Sequence, residues 1–310
     1  MKTLLKTLAT AGSALALALS SGACSQADTP APATASAAPM QAAADYVTPA
    51  LWMLQDEDTT IYLFGTVHIL PKGVEWYDGR IAAAFEGSDE VVTEIDMSNQ
   101  AAIGQLFMSR GMLPPGQSLR DLMTDEDRAQ YEAALTELGI PVAQFDRFEP
   151  WMASIVLSQL PMMKAGYDPN SGVEMALLKA GPDKERGALE TAEFQVDMFD
   201  GLPMETQLTF LDETVENLGG VVTTIDAMVA EWLAGDPDGL AVLLNDNLDD
   251  PVLYQRLLTD RNANWAVWID DRMDQPGTVF VAVGAGHLAG EDSVQGMLED
   301  RGFTVTRVTQ

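Results

Sequence analysis

One pattern recurs at both ends of this 310-residue chain: an apolar β-rich run stopping at glycine, a Gly-x-x-His, a helix and a second strand. In the first copy residues 60–64, Thr-Ile-Tyr-Leu-Phe, end at Gly65. Residues 77–87 then place Ile81, Ala84 and Phe85 at helical spacing, and 90–95, EVVTEI, read as a strand. In the second copy residues 278–283 stop at Gly284, 292–301 carry Val294, Met297 and Leu298 at helical spacing, and 303–308 read as a strand. A helix joining two strands makes them parallel with a right-handed crossover. The pattern therefore predicts an α/β fold in which two strand–GxxH–helix–strand units share a mainly parallel sheet.

Between the two copies, residues 100–272 predict a large helical insertion. Thr124-Asp-Glu-Asp127 resembles a capping box ahead of a helix to Leu138, which Gly139 and Pro141 stop. Residues 150–164, 204–218, 221–234 and 251–272 follow the same logic. Met152, Met162 and Met163 are assigned to core filling or lid packing, because thioethers fit irregular gaps.

The chain has two histidines, and both carry a glycine three positions earlier: Gly65-Thr66-Val67-His68 and Gly284-Ala285-Gly286-His287. Glycine makes up 25 of 310 residues, so this coincidence by chance is below about one in a hundred. Loops at the carboxyl ends of parallel strands converge on one edge, where ligands bind. His68 and His287 are thus expected to face each other, and Glu94, ending the 90–95 strand, to reach the same edge. A lone histidine is ordinarily a hydrogen-bonded core residue. Two imidazoles and a carboxylate with open positions instead suit Zn²⁺, Mn²⁺, Co²⁺ or Fe²⁺, which lowers the pKa of bound water and polarises a carbonyl. Many serines are present, but no Gly-x-Ser-x-Gly elbow occurs.

The segment LWMLQDEDTTIYLFGTVHILPKGVEWYDGRIAAAFEGSDEVVTEIDM resembles the N-terminal signature of the TraB/GumN family, which includes the animal TIKI proteases. FVAVGAGHLAGEDSVQGMLEDRGFTVTRV resembles its C-terminal signature, and GVEMALLKA, ALETAEFQ and RLLTDRNANWAVWI resemble GumN-type stretches between them. The likeness covers nearly all of residues 50–310. From the TIKI branch it implies metal-dependent peptide hydrolysis by His68, Glu94 and His287. The wider superfamily also holds erythromycin-esterase-like and haem-binding ChaN-like members, so the shared site does not fix the reaction. Glu190, Gln195, Arg256, Arg261 and Asn262 lie in the family-like stretches, where an arginine can stabilise an oxyanion or tie helices together. Glu174 and Glu190 are candidates for a supporting or general-base role.

Residues 1–23 put Lys2 and Lys6 ahead of a short apolar stretch, as in a secretory signal. Ser21-Gly22-Ala23-Cys24 resembles a lipobox, with Ser where Leu or Val is usual. Cys24 is the only cysteine, so no intramolecular disulfide forms. Residues 24–46 are rich in Ala, Pro, Ser and Thr and predict a disordered tether, leaving 47–310 as the domain. Export to the periplasmic side of a membrane, with acylation at Cys24 as the only membrane contact, is expected; an ordinary signal with a leftover cysteine is the alternative.

The net charge of −30 argues against nucleic acid and anionic lipid as partners. The expected function is a divalent-metal hydrolase acting on a peptide or small carbonyl-containing substrate. The competing classes are a metal- or haem-binding protein and a non-catalytic envelope factor on the same fold.

Overall fold

The computed structural model describes residues 48–77, 79–245 and 251–309; the expected signal, Cys24 and the expected tether lie outside them. The main sheet has six strands. They are β1 (Leu51–Gln55), β2 (Thr59–Thr66), β4 (Glu90–Thr93), β6 (Glu185–Ala188), β7 (Gly277–Gly284) and β8 (Thr306–Arg307), in the order β6-β4-β7-β2-β1-β8. Two-residue strands β3 (Leu70–Pro71) and β5 (Tyr167–Asp168) pair separately.

The centre of the sheet is the parallel ladder of β2 and β7, in register from Thr59↔Gly277 to Thr66↔Gly284. β4 pairs parallel with the other side of β7, and β1 folds back antiparallel on β2. The two expected units do share one sheet, and they interleave: β7 inserts between β2 and β4, and β2 and β1 lie between β7 and β8.

Both faces of the central strands are covered, which explains their nearly continuous apolar sequence. On one face Ile61, Leu63, Val279, Val281 and Val283 pack against α12 (Asp260–Met273) and α13 (Val294–Asp300). On the other, Phe64, Phe280 and Ala282 meet α1 (Gly79–Gly87) through Ile81, Ala84 and Phe85. Phe64 is fully buried, with ring centroids 5.6 Å from Trp76, 5.6 Å from Phe280 and 6.4 Å from Trp232.

The intervening helices are α2 (Gln100–Arg110), α3 (Leu119–Leu122), α4 (Asp125–Leu138), α5 (Pro150–Lys164), α6 (Val173–Ala180), α7 (Ala192–Asp200), α8 (Met204–Asn217), α9 (Val221–Ala234), α10 (Pro237–Asn245) and α11 (Pro251–Tyr254). α4 starts and stops as its sequence requires: the Thr124 hydroxyl accepts from the Asp127 N–H at 3.2 Å, and Gly139 closes it at φ 74°. Met152 and Met162 are buried as core filler, whereas Met163 is half exposed.

The 100–272 region is not helical throughout. β6 arises inside it and forms the edge strand beside β4. Its sequence, Glu-Arg-Gly-Ala, has no apolar alternation, so an edge pairing of four residues left no periodic signal.

Phe64→Ala is expected to lower unfolding free energy by about 3–5 kcal/mol, because three aromatic neighbours cannot collapse into the space. Equilibrium denaturation in urea measures it.

Candidate functional site

The two Gly-x-x-His motifs leave the paired ends of β2 and β7, so their histidines start from one edge. A Cβ on Gly65 would sit 3.0 Å from the Cα of Ala285, so glycine permits the close approach of the loops. The Gly65 carbonyl accepts from Trp232 Nε1 at 2.8 Å, which ties the first loop to α9.

His68 is 4% exposed. Its Nδ1 pairs with Oε1 of buried Glu174, in the first turn of α6. Two backbone features bring α6 there. Val173 N–H donates to the Val67 carbonyl at 3.0 Å, and a Cβ on Gly172 would fall 2.1 Å from the His68 carbonyl oxygen. Any side chain at 172 must push the His68 loop and α6 apart.

Glu94 follows β4, and its carboxylate turns toward β7. Oε1 accepts from the N–H of motif glycine Gly284 at 2.8 Å. Oε2 accepts from Arg261 Nη2 at 2.7 Å and from Gln195 Nε2 at 2.9 Å. The edge strand supplies the second carboxylate: Leu189 and Glu190 N–H groups donate to the Thr93 and Glu94 carbonyls at 3.0 and 2.8 Å, which sets Glu190 beside Glu94. Arg261 bridges them, its Nε and Nη2 donating to Glu190 at 2.7 and 2.9 Å.

His287 completes the group. Arg261 Nη1 lies 3.0 Å from His287 Nε2, and a guanidinium only donates, so Nε2 is the acceptor. Nδ1 therefore carries the proton and donates to Asn262 Oδ1 at 2.5 Å. Asn262 Nδ2 donates to the Asp292 carbonyl at 2.7 Å, which orients the amide. Trp265 packs its ring 4.3 Å from the His287 ring and donates from Nε1 to Glu190 at 3.0 Å.

Arg261, Asn262 and Trp265 share one face at the start of α12. A π-helical turn, Gln255–Thr259, precedes it, a feature that frequently accompanies functional sites.

The electrostatics follow from this packing. Burial alone raises the Glu94 carboxyl, but Arg261, the two histidines and the Gly284 N–H outweigh it and hold the pKa at about 2. Burial and then the Arg261 charge push His287 down to about 3, so it is neutral at pH 7. His68 follows the end of β2, which is paired with the end of β7, and Glu94 follows β4 on the other side of β7, so all three predicted residues start from one edge of the sheet.

The side chains as arranged do not fit a divalent ion. Both Glu94 oxygens and both His287 nitrogens hold hydrogen bonds, and His68 Nδ1 is engaged with Glu174. Among the described residues no three His, Cys, Asp or Glu side chains are arranged to hold a metal.

Arg256 stays apart from the cluster. It leaves the helix on a different face and donates from Nη2 to the Asp197 carbonyl at 2.8 Å. Glu174, Glu190, Gln195, Arg261 and Asn262 all join the site. Trp265 was missed, although its i+4 relation to Arg261 places it on the same helical face. A groove of about 550 Å³ between α4 and α8, lined by Tyr131, Met204 and Asp212, shares no residue with this site. Among the described residues no helix is long and apolar enough to cross a membrane.

A mainly parallel α/β sheet with a histidine after each of two adjacent strands, and a glutamate after the next, defines the class of protein. The chain belongs to the TraB/PrgY/gumN family, whose profile matches residues 50–307. The uncharacterized protein YbaP of Escherichia coli (strain K12) is 26% identical over 255 residues, covering 82% of this chain and 93% of that protein. YbaP of Shigella flexneri matches over the same length with the same identity. An uncharacterized protein of Treponema pallidum (strain Nichols) is 22% identical over 267 residues, covering 81% of this chain and 80% of the relative. No solved structure matches the chain.

Acid should weaken the fold from an unusually high pH. An unfolded His287 takes a proton near its ordinary 6.5 and the folded one only near 3, while Glu94 falls from 4.5 to about 2. In both cases the unfolded state binds more protons, so stability is fully present above pH 6.5 and lost stepwise on acidification. Urea unfolding between pH 7.5 and 3 is expected to show this slope. In His287→Asn the part between pH 6.5 and 4.5 should flatten.

Proposed function

We propose that this chain is an exported hydrolase of a peptide or another small carbonyl compound, with His68 as general base. One observation supports this above the rest: Glu174 pairs with Nδ1 of His68 at the sheet edge where Glu94, His287 and Arg261 also meet. In this role the Glu174 carboxylate on Nδ1 fixes the orientation of the ring, and Nε2 is the nitrogen that exchanges a proton with attacking water and the leaving group.

A second reading, a site for Zn²⁺, Mn²⁺, Co²⁺ or Fe²⁺, is favoured by the three acceptors around the Arg261 guanidinium, from Glu94, Glu190 and His287. It requires the guanidinium to withdraw.

The mature protein should cleave members of an unbiased peptide and ester panel, with kcat falling about 10²–10⁴-fold in His68→Ala. Glu174→Gln should fall in the same direction while remaining folded, and Arg256→Ala should keep wild-type turnover. No cleavage of any substrate class, or unchanged turnover in His68→Ala, sinks the assignment.

The basic and apolar start and Cys24 support export and lipid anchoring on the periplasmic side of a membrane. Palmitate labelling of the whole protein should disappear in Cys24→Ala; exported but unlabelled wild type supports an ordinary signal, and cytoplasmic wild type overturns both.

A further inference from the structure

We infer that Arg261 is the resident cation of this site, standing where Glu94, Glu190 and His287 converge, so that the site assembles without a divalent ion. Guanidinium has five N–H donors in a fixed plane, and here each has an acceptor. Nε donates to Glu190 Oε1 at 2.7 Å, and Nη2 to Glu94 Oε2 and Glu190 Oε2 at 2.7 and 2.9 Å. Nη1 donates to His287 Nε2 at 3.0 Å and to the Leu257 carbonyl at 3.2 Å.

Three of those partners, two carboxylates and one imidazole lone pair, are the donor types a transition ion selects. A lone pair directed at an N–H cannot bind an ion at the same time, so guanidinium and metal compete for one position.

The arginine is held there from several sides. Its side chain is fully buried, its Cζ lies 4.8 Å over the Trp265 ring, and the π-helical turn before α12 brings the Leu257 carbonyl under Nη1. It orients Glu94 and His287 as a positioning residue. A lysine cannot substitute, because an ammonium lacks the planar fork that reaches both carboxylates and the imidazole. The role holds whether or not the site turns over substrate.

Two consequences separate this role from ordinary structural support. The wild type should be indifferent to chelation, and removing the guanidinium should create a metal site from the acceptors it leaves behind. The test uses the mature protein dialysed against EDTA and titrated with Co²⁺, read by visible absorption and thermal unfolding. Wild type should keep its Tm after dialysis and bind no stoichiometric Co²⁺. Arg261→Ala should have a lower Tm, bind one Co²⁺ per chain about 10–100-fold more tightly than wild type, and regain Tm on addition of the ion. Adding His287→Ala to that variant should abolish the binding.

Arg261→Met keeps the side-chain volume and serves where the alanine variant does not fold. A wild type that loses Tm on dialysis and takes up one Co²⁺ per chain overturns the inference. So does a folded Arg261 variant with no gain in Co²⁺ affinity. A wild type showing the expected metal indifference but cleaving nothing removes the hydrolase assignment alone.

Discussion

The parallel ladder between β2 and β7 is the interaction on which the rest depends. It aligns Thr66 with Gly284 and so starts both histidine loops at one level of the sheet. β4 is registered against β7 through Thr93↔Ala282, which delivers Glu94 to the N–H of Gly284. Every polar contact of the site presupposes that alignment. The apolar side chains on both faces of the two strands make it specific, because a slip of one residue would exchange the faces.

Around this edge the protein buries ionised groups that ordinarily remain in water. Such burial is costly unless every charge is paired and every donor and acceptor satisfied. Arg261 meets that condition through its two glutamates, His287 and Leu257. The geometry is demanding, since removing one member of a buried ionic group typically costs about 3–5 kcal/mol. The interleaved sheet, the π-helical turn and the edge strand together hold the members in place.

Much of this was legible in the sequence because periodicity and punctuation are local. Val294 and Leu298, like Ile81, Ala84 and Phe85, are buried as their helical spacing requires. Thr124 and Gly139 bound α4, and the two Gly-x-x-His motifs leave one edge of the sheet, as their placement after β-rich runs implied. The remainder depends on tertiary context. β6 is too short and polar to show a pattern, yet it sets Glu190 beside Glu94. Arg256 and Arg261 look equivalent as letters, and only the helix geometry separates an arginine bonded to the Asp197 carbonyl from one bonded to His287. The donor set of His68, Glu94 and His287 suggested a metal. Their hydrogen bonds put the Arg261 guanidinium between Glu94 and His287, a contact that no residue spacing announces.

The interleaving of the sheet also governs the order in which the protein can acquire its core. Thr59 and Gly277 are 218 positions apart (277 less 59), and β4 reaches the sheet only through β7. Until residues 277–284 are made, near the end of the 310-residue chain, β2 can pair with β1, but its other edge has no native partner. Closing so long a loop before the contacts compensate for it slows folding. An open, apolar strand edge is meanwhile a template for pairing with other chains. One edge of β2 thus stays unpartnered from its synthesis until β7 is made, and the nascent chain is open at that edge to pairing with its copies.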